Sequence, residues 1–170
     1  RAVVRVGVLH PIESLWLHWG PAEQTGDIRS QMDEYFKKLT EWLLFGGVDF
    51  DFICESRLPE QCAKGGVPFR VGVMKYDAVI VPGCETLRKS TVERLEEFRA
   101  AGGCLIFMGK KPVLMDGMES ARPGRLYESA YTIPFERHAL LDGLKDFKEV
   151  EIREENGMLT GDMLYQMREE

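Results

Sequence analysis

A cysteine, two histidines, three glutamates and two tryptophans carry the side-chain chemistry worth tracing: Cys84, His10, His18, Glu13, Glu55, Glu85, Trp16 and Trp19. Cys84 lies in Pro82-Gly83-Cys84-Glu85-Thr86, between an apolar run and a helix-forming stretch. A thiol at such a turn becomes a nucleophile when a helix amino end lowers its pKa. A nucleophile elbow also wants small residues two positions to either side, and here those are Pro82 and Thr86. The spacing therefore favours an ordinary loop cysteine. His10 stands at the carboxyl end of the first apolar run, where a base could work, yet no nucleophile is paired with it in sequence. A structural or substrate-contacting role is the expectation for it. Glu13, Glu55 and Glu85 fall near the same edge, and paired carboxylates are what glycoside hydrolysis requires. The ordinary alternative is solvated loop carboxylates. Trp16 and Trp19, with His18 between them, are expected in a loop. Their flat apolar faces suit a sugar ring or a partner surface, with packing over one end of a sheet as the alternative. No residue is assigned as catalytic; the weaker candidates are Cys84 and His10.

Metal and cofactor chemistry find little support. Cys54, Cys62, Cys84 and Cys104 contain no C-x-x-C pair, so neither a zinc site nor a disulfide framework is expected. Cys54 and Cys104 read as small hydrophobes within strands. There is no Walker motif and no G-x-G-x-x-G after the first apolar run. The His-Pro-Ile-Glu-Ser turn lacks the small residues that would present amides to a flavin phosphate. Asp49 and Asp51 lie inside a strand pattern, which argues against a receiver-type phosphorylation site. The expectation is no cofactor and no metal.

The elements that must position these residues are legible around Tyr76 to Gly109. Ala78-Val79-Ile80-Val81 is a continuous apolar run stopped by Pro82-Gly83, as in a strand covered on both faces. Ser90-Thr91-Val92-Glu93 matches a capping box, and Val92, Leu95 and Phe98 line one helix face. Gly102-Gly103 ends that helix, and Cys104 to Met108 is the next buried strand. This is a βαβ unit. Upstream, Val3 to Leu9 is the first strand, Ile12 to Gly26 a long connection, and Ile28 to Leu43 a helix. Val48 to Cys54 is a second strand whose acidic positions place it near a sheet edge. A turn is expected around Leu58-Pro59-Glu60 and a small hairpin from Phe69 towards Tyr76. Downstream, Asp116 to Arg125 reads as a polar stretch, Leu140 to Leu144 as a short helix and Phe147 to Ile152 as a terminal strand. Together these predict a single α/β domain over residues 1–170, with a flavodoxin-like, doubly wound, mostly parallel sheet and helices on both faces. In that order the first strand is central. Ligands would lie beyond the carboxyl ends of the strands, at 10–19, 54–57, 82–87 and 109–112.

Composition narrows the function classes. The 170 residues suffice for one full core, and 44% hydrophobic with 29% charged residues is ordinary globular composition. A formal net charge of -6 disfavours nucleic acid and anionic membranes as partners. No apolar run approaches the ~20 residues of a membrane span, and no signal-peptide pattern is visible. The cysteine usage points to a reducing, cytoplasmic setting. The chain starts at Arg1 without Met and stops at Glu170 without a closing turn, from which a piece of a longer multidomain protein is expected.

The ordered stretches VGVLHPIESLW, FDFICESRL, YDAVIVPGCETLRKSTVERLEEFRAAGGCLIFMG and LYQMREE resemble a class I glutamine amidotransferase-like domain of large bacterial glycoside hydrolases. That flavodoxin-type domain is also called the β-galactosidase trimerisation domain, and related sequences occur in α-L-rhamnosidase-like enzymes. The similarity runs over nearly the whole chain, and the ordered set rather than any one motif carries it. In true amidotransferases the nucleophilic Cys sits in a G-x-C-x-G elbow after the strand matching Cys104 to Met108. Here that turn is Gly109-Lys110-Lys111-Pro112, with neither the Cys nor the second Gly. The resemblance thus implies an inherited fold without the inherited chemistry, the catalytic carboxylates belonging to a neighbouring domain.

The expectation is a noncatalytic accessory domain of a sugar hydrolase, active in carbohydrate metabolism only through its parent. Its partners would be other domains of the same polypeptide, a second copy in a homo-oligomer, or a carbohydrate. His10, Glu13, Trp16, His18, Trp19, Glu55 and Glu85 are the expected substrate or partner contacts. Two alternatives stay open: a small independent cysteine hydrolase or amidotransferase-like enzyme using Cys84 with His10, and a stand-alone sugar-binding module.

Overall fold

In the computed structural model, which describes residues 2–158, 160–161 and 163–169, five parallel strands form the central sheet. The expectation about where the chain starts and stops rests on Arg1 and Glu170, which lie outside the described residues. In chain order the elements begin with β1 (Val6–Leu9), α1 (Ile12–Leu17), α2 (Ala22–Leu44) and β2 (Phe50–Ile53). A short 3-10 turn (Glu55–Arg57) runs into α3 (Leu58–Gln61), then the hairpin β3 (Phe69–Val71) and β4 (Met74–Tyr76). Next come β5 (Ala78–Pro82), β6 (Thr86–Leu87), α4 (Lys89–Ala100) and β7 (Cys104–Met108). The last are β8 (Leu114–Met115), β9 (Met118–Glu119), α5 (Ala121–Ser129), β10 (Tyr131–Ile133) and α6 (Arg137–Gly143).

The main sheet has the order β2-β1-β5-β7-β10, which is the flavodoxin-like, doubly wound arrangement expected from the sequence. Every pairing in it is parallel. β2 lies at an edge, as its acidic positions suggested. β5, rather than the first strand, is the middle one, with β1 beside it. The buried strands alternate between two cores, because successive side chains point to opposite faces. Val79, Val81, Leu105 and Phe107 meet Val92, Leu95 and Phe98 of α4 on one face. Ala78, Ile80, Ile106 and Met108 meet Leu39 and Leu43 of α2 and Leu140 of α6 on the other.

Four expectations about local structure are corrected. First, the connection expected from Ile12 to Gly26 contains α1, and α2 begins at Ala22. Ala22-Glu23-Gln24 are good helix formers behind Pro21, and the cost of Gly26, about 1 kcal/mol relative to Ala, is carried by a 23-residue helix. Second, no Ser90 capping box forms: α4 begins at Lys89, with Arg88 as its N-cap. Distant carboxylates take the exposed amides instead, Glu55 Oε2 accepting from Arg88 N at 2.8 Å and Asp116 Oδ1 from Lys89 N at 3.0 Å. Third, the segment expected as a terminal strand from Phe147 to Ile152 follows a 3-10 turn at Lys145–Phe147 and makes no strand. The free edge of β7 is already occupied by the three residues of β10. Fourth, the polar stretch after Asp116 folds into the β8–β9 hairpin and α5.

Candidate functional site

The carboxyl ends of β1, β5 and β7 open on one side of the sheet, and α1 stands over them. A six-residue helix has little stability of its own, so it must be pinned. Ser14, fully buried, does this: its Oγ accepts from Glu85 N at 2.9 Å and Thr86 N at 3.2 Å, and donates to Thr86 O at 3.3 Å. An ion pair and a histidine–carboxylate hydrogen bond add to the clamp. Glu13 Oε1 accepts from Arg88 Nε at 2.6 Å, and His18 Nε2 lies 2.7 Å from Glu85 Oε2. Ser14 was not singled out from sequence, where nothing separates it from any other helix serine.

Held in this way, α1 separates two hollows. The larger is a cleft of about 600 Å³ between α1, α2 and the strand ends. It sits beside the gap between β1 and β5, where the winding direction of the sheet reverses, the usual ligand position in such folds. Its walls are mainly Met32, Tyr35, Phe36, Met108 and Phe135. The rings of Tyr35 and Phe135 stack with centroids 4.7 Å apart. The polar groups are few: Gln31, the His18–Glu85 pair, and Lys110 and Lys111 from the turn after β7. The smaller hollow, about 320 Å³, lies on the other side of α1, with Trp16 beside Glu13, Arg88 and Asp116.

Of the strand-end segments expected at a ligand site, 82–87 and 109–112 supply Pro82, Gly83, Glu85 and Gly109 to Lys111. The first segment supplies Pro11 and His18 to the cleft and Glu13 and Trp16 to the smaller hollow. Segment 54–57 supplies neither lining. Glu55, expected among the contact residues, is fully buried. Its Oε2 holds Arg88 N, while Oε1 and the nearby Thr91 hydroxyl make no hydrogen bond among the described residues. Burial pushes its carboxyl up to about 7, against the opposing pull of Thr91 and the Arg88 amide.

Cys84 is also sealed, at 1% exposure, in the core that includes Val81 and Leu87. Burial, reinforced by the charge of Glu55, pushes its thiol well above the ordinary range, with the Ser14 hydroxyl working the other way. A thiol in that state is not a nucleophile. His10 packs edge-on against Phe36 of α2 (5.0 Å) and Phe52 (5.9 Å), on the opposite face of the sheet. Burial lowers its pKa. The Cys84 and His10 of the hydrolase alternative are therefore not brought together. Cys54, expected within a strand, instead follows β2 and is exposed, its Sγ 3.2 Å from Ser56 Oγ.

The tryptophans are not core residues. Trp16 is on α1 rather than in a loop and is 54% exposed, and Trp19 is 72% exposed with the Arg29 guanidinium 4.9 Å from its ring centre. Tyr35, Phe36 and Phe135 were not singled out from sequence as site residues. The Tyr35-Phe36 pair read only as part of a helix face, and Phe135 lies in a stretch without period. No helix among the described residues is long and apolar enough to cross a membrane, and no cluster of metal-ligating side chains occurs among them. Neither protein-family models, nor curated proteins, nor solved structures match this chain.

Proposed function

We propose that the chain is a noncatalytic accessory domain of a larger bacterial glycoside hydrolase. One observation carries the noncatalytic reading. The turn after β7, where an amidotransferase-like fold keeps its nucleophile, holds Gly109-Lys110-Lys111 and leads into the β8–β9 hairpin instead of a helix. A nucleophile there would lack both a reactive atom and the helix amino end that activates it. The glycoside-hydrolase setting rests on the resemblance of the four ordered sequence stretches.

The surface around α1 suits such a role. Exposed Trp16 and Trp19 offer large apolar faces at low entropy cost. Glu13, Arg88 and Asp116 beside Trp16 supply the acceptors and donors that vicinal sugar hydroxyls need. This patch would sit on the catalytic domain, on another subunit, or at the rim of the sugar cleft.

The test is turnover of aryl glycosides and of glutamine by the chain alone, beside the full-length parent. Turnover confined to the parent is expected. Glycoside cleavage by the chain itself would overturn the reading and direct attention to Glu13 and Glu85.

A further inference from the structure

We infer that the cleft between α1, α2 and the strand ends binds a small apolar molecule bearing a carboxylate or sulfonate. This inference does not depend on the accessory-domain reading. A hollow of about 600 Å³ matches a small organic ligand rather than an ion or a water cluster. Its walls decide what kind. Tyr35 and Phe135, whose rings stack on each other, together with Phe36, Met32 and Met108 make the walls mainly apolar, and an apolar molecule covers them best.

The charges at the cleft point to an acid. Lys111 is engaged with Glu128, and Glu85 with His18. Lys110, exposed on the same turn, makes no ion pair among the described residues. One free ammonium at the edge of an apolar hollow complements one anionic group.

Several amides near the strand ends that could cradle a phosphate are already used. Gly83 N donates to Met108 O at 2.8 Å, and Gly109 N to Ile133 O at 2.9 Å. At the start of α4, the amides of Arg88 and Lys89 are taken by Glu55 and Asp116. These four amides are thus occupied, which leaves the Lys110 side chain as the group that reads the anion.

Fluorescence titration with anilinonaphthalene sulfonate, a planar aromatic anion, tests this beside its neutral counterpart N-phenylnaphthylamine. Gly83→Leu adds a side chain at a residue that lines the cleft, where a Cβ meets only Met108 O at 3.8 Å. Val113→Trp fills it from an exposed position on the rim. Circular dichroism confirms that each variant is folded. The expected result is one site for the sulfonate, weakened at least tenfold in whichever filled variant folds. Lys110→Glu weakens the sulfonate by roughly two- to fivefold, the size of an exposed ion pair, and leaves the neutral dye unchanged. Sulfonate binding that survives both filled variants, or no binding of either dye, overturns the site. Equal affinities for the two dyes, with no effect of Lys110→Glu, overturn the acid requirement.

Discussion

The Oγ of Ser14 lies 2.9 Å from the backbone N of Glu85, a bond between residues 71 positions apart that fixes α1 over the strand ends. Ser14→Ala leaves the half-buried amide of Glu85 and the buried amide of Thr86 without their acceptor. The expected loss is about 1–3 kcal/mol, the cost of buried groups left unpaired. Urea denaturation of the two proteins measures it. A loss below a few tenths would mean that α1 is held by its other polar contacts and packing alone.

Glu55 makes stability depend on pH in a defined direction. Its folded-state pKa of about 7 lies above the ordinary 4.5, so the folded chain binds more protons between those values. Stability therefore falls as pH rises through that window, by a few kcal/mol in order of magnitude, and levels off above it. Glu55→Gln keeps an oxygen for Arg88 N and carries no charge. It is expected to flatten the window and to be the more stable protein at alkaline pH. Unfolding free energies across the pH range decide this. An unchanged slope in the variant would assign the dependence to other groups.

Thiol reactivity separates the cysteines by position. Cys54 is exposed, whereas Cys62 and Cys84 are buried with their thiols pushed upward by desolvation. An aromatic disulfide reagent is expected to modify Cys54 rapidly in the native protein and to reach Cys84 only on unfolding. Cys54→Ser abolishes the fast phase. Fast modification of Cys84 in the native state would return it to consideration as a nucleophile.

Gly65 seats the loop before β3 against α4. Its amide donates to Glu97 Oε2 at 2.6 Å, and a Cβ there would stand 2.0 Å from Arg94 O. Because that obstacle is backbone, Gly65→Ala must lift the loop. The expected cost is about 1–3 kcal/mol, as for other overpacked sites. Thermal denaturation gives the number, and a neutral result would show that the loop moves freely.

Trp16 and Trp19 distinguish surface function from packing. Alanine at both, given their exposure, is expected to change stability by no more than about 0.5 kcal/mol. If the accessory-domain proposal holds, the same pair weakens assembly or substrate affinity of the proposed parent hydrolase. A large stability loss would make them packing residues, and unchanged assembly and kinetics would remove the case for the patch.

The strands of the central βαβ unit were legible because Ala78 to Val81 and Cys104 to Met108 are buried on both faces and so read as unbroken apolar runs. β10 was not, since three residues with Tyr131 and Thr132 exposed carry too little pattern. The start of α4 misled for a different reason: Ser90 and Glu93 offer a local cap, but Glu55 and Asp116, supplied by the fold, hold the amides of Arg88 and Lys89, so the helix starts earlier and Ser90 falls inside it. The same distinction governs the site. Strand ends follow from periodicity, so the turns at Pro82 and Gly109 were placed correctly. The burial of Glu55 and Cys84 depends on what α1 and α4 lay over them, and no local spacing encodes that.

Pro11 and His18, at the two ends of α1, line the larger hollow, and Glu13, Trp16 and Leu17 of the helix line the smaller, so a single six-residue helix stands between them. A guest that displaces this helix from one side takes room from the other. Two occupants that never touch would thus report on each other through its position, and by thermodynamic reciprocity each would alter the other's affinity by the same factor.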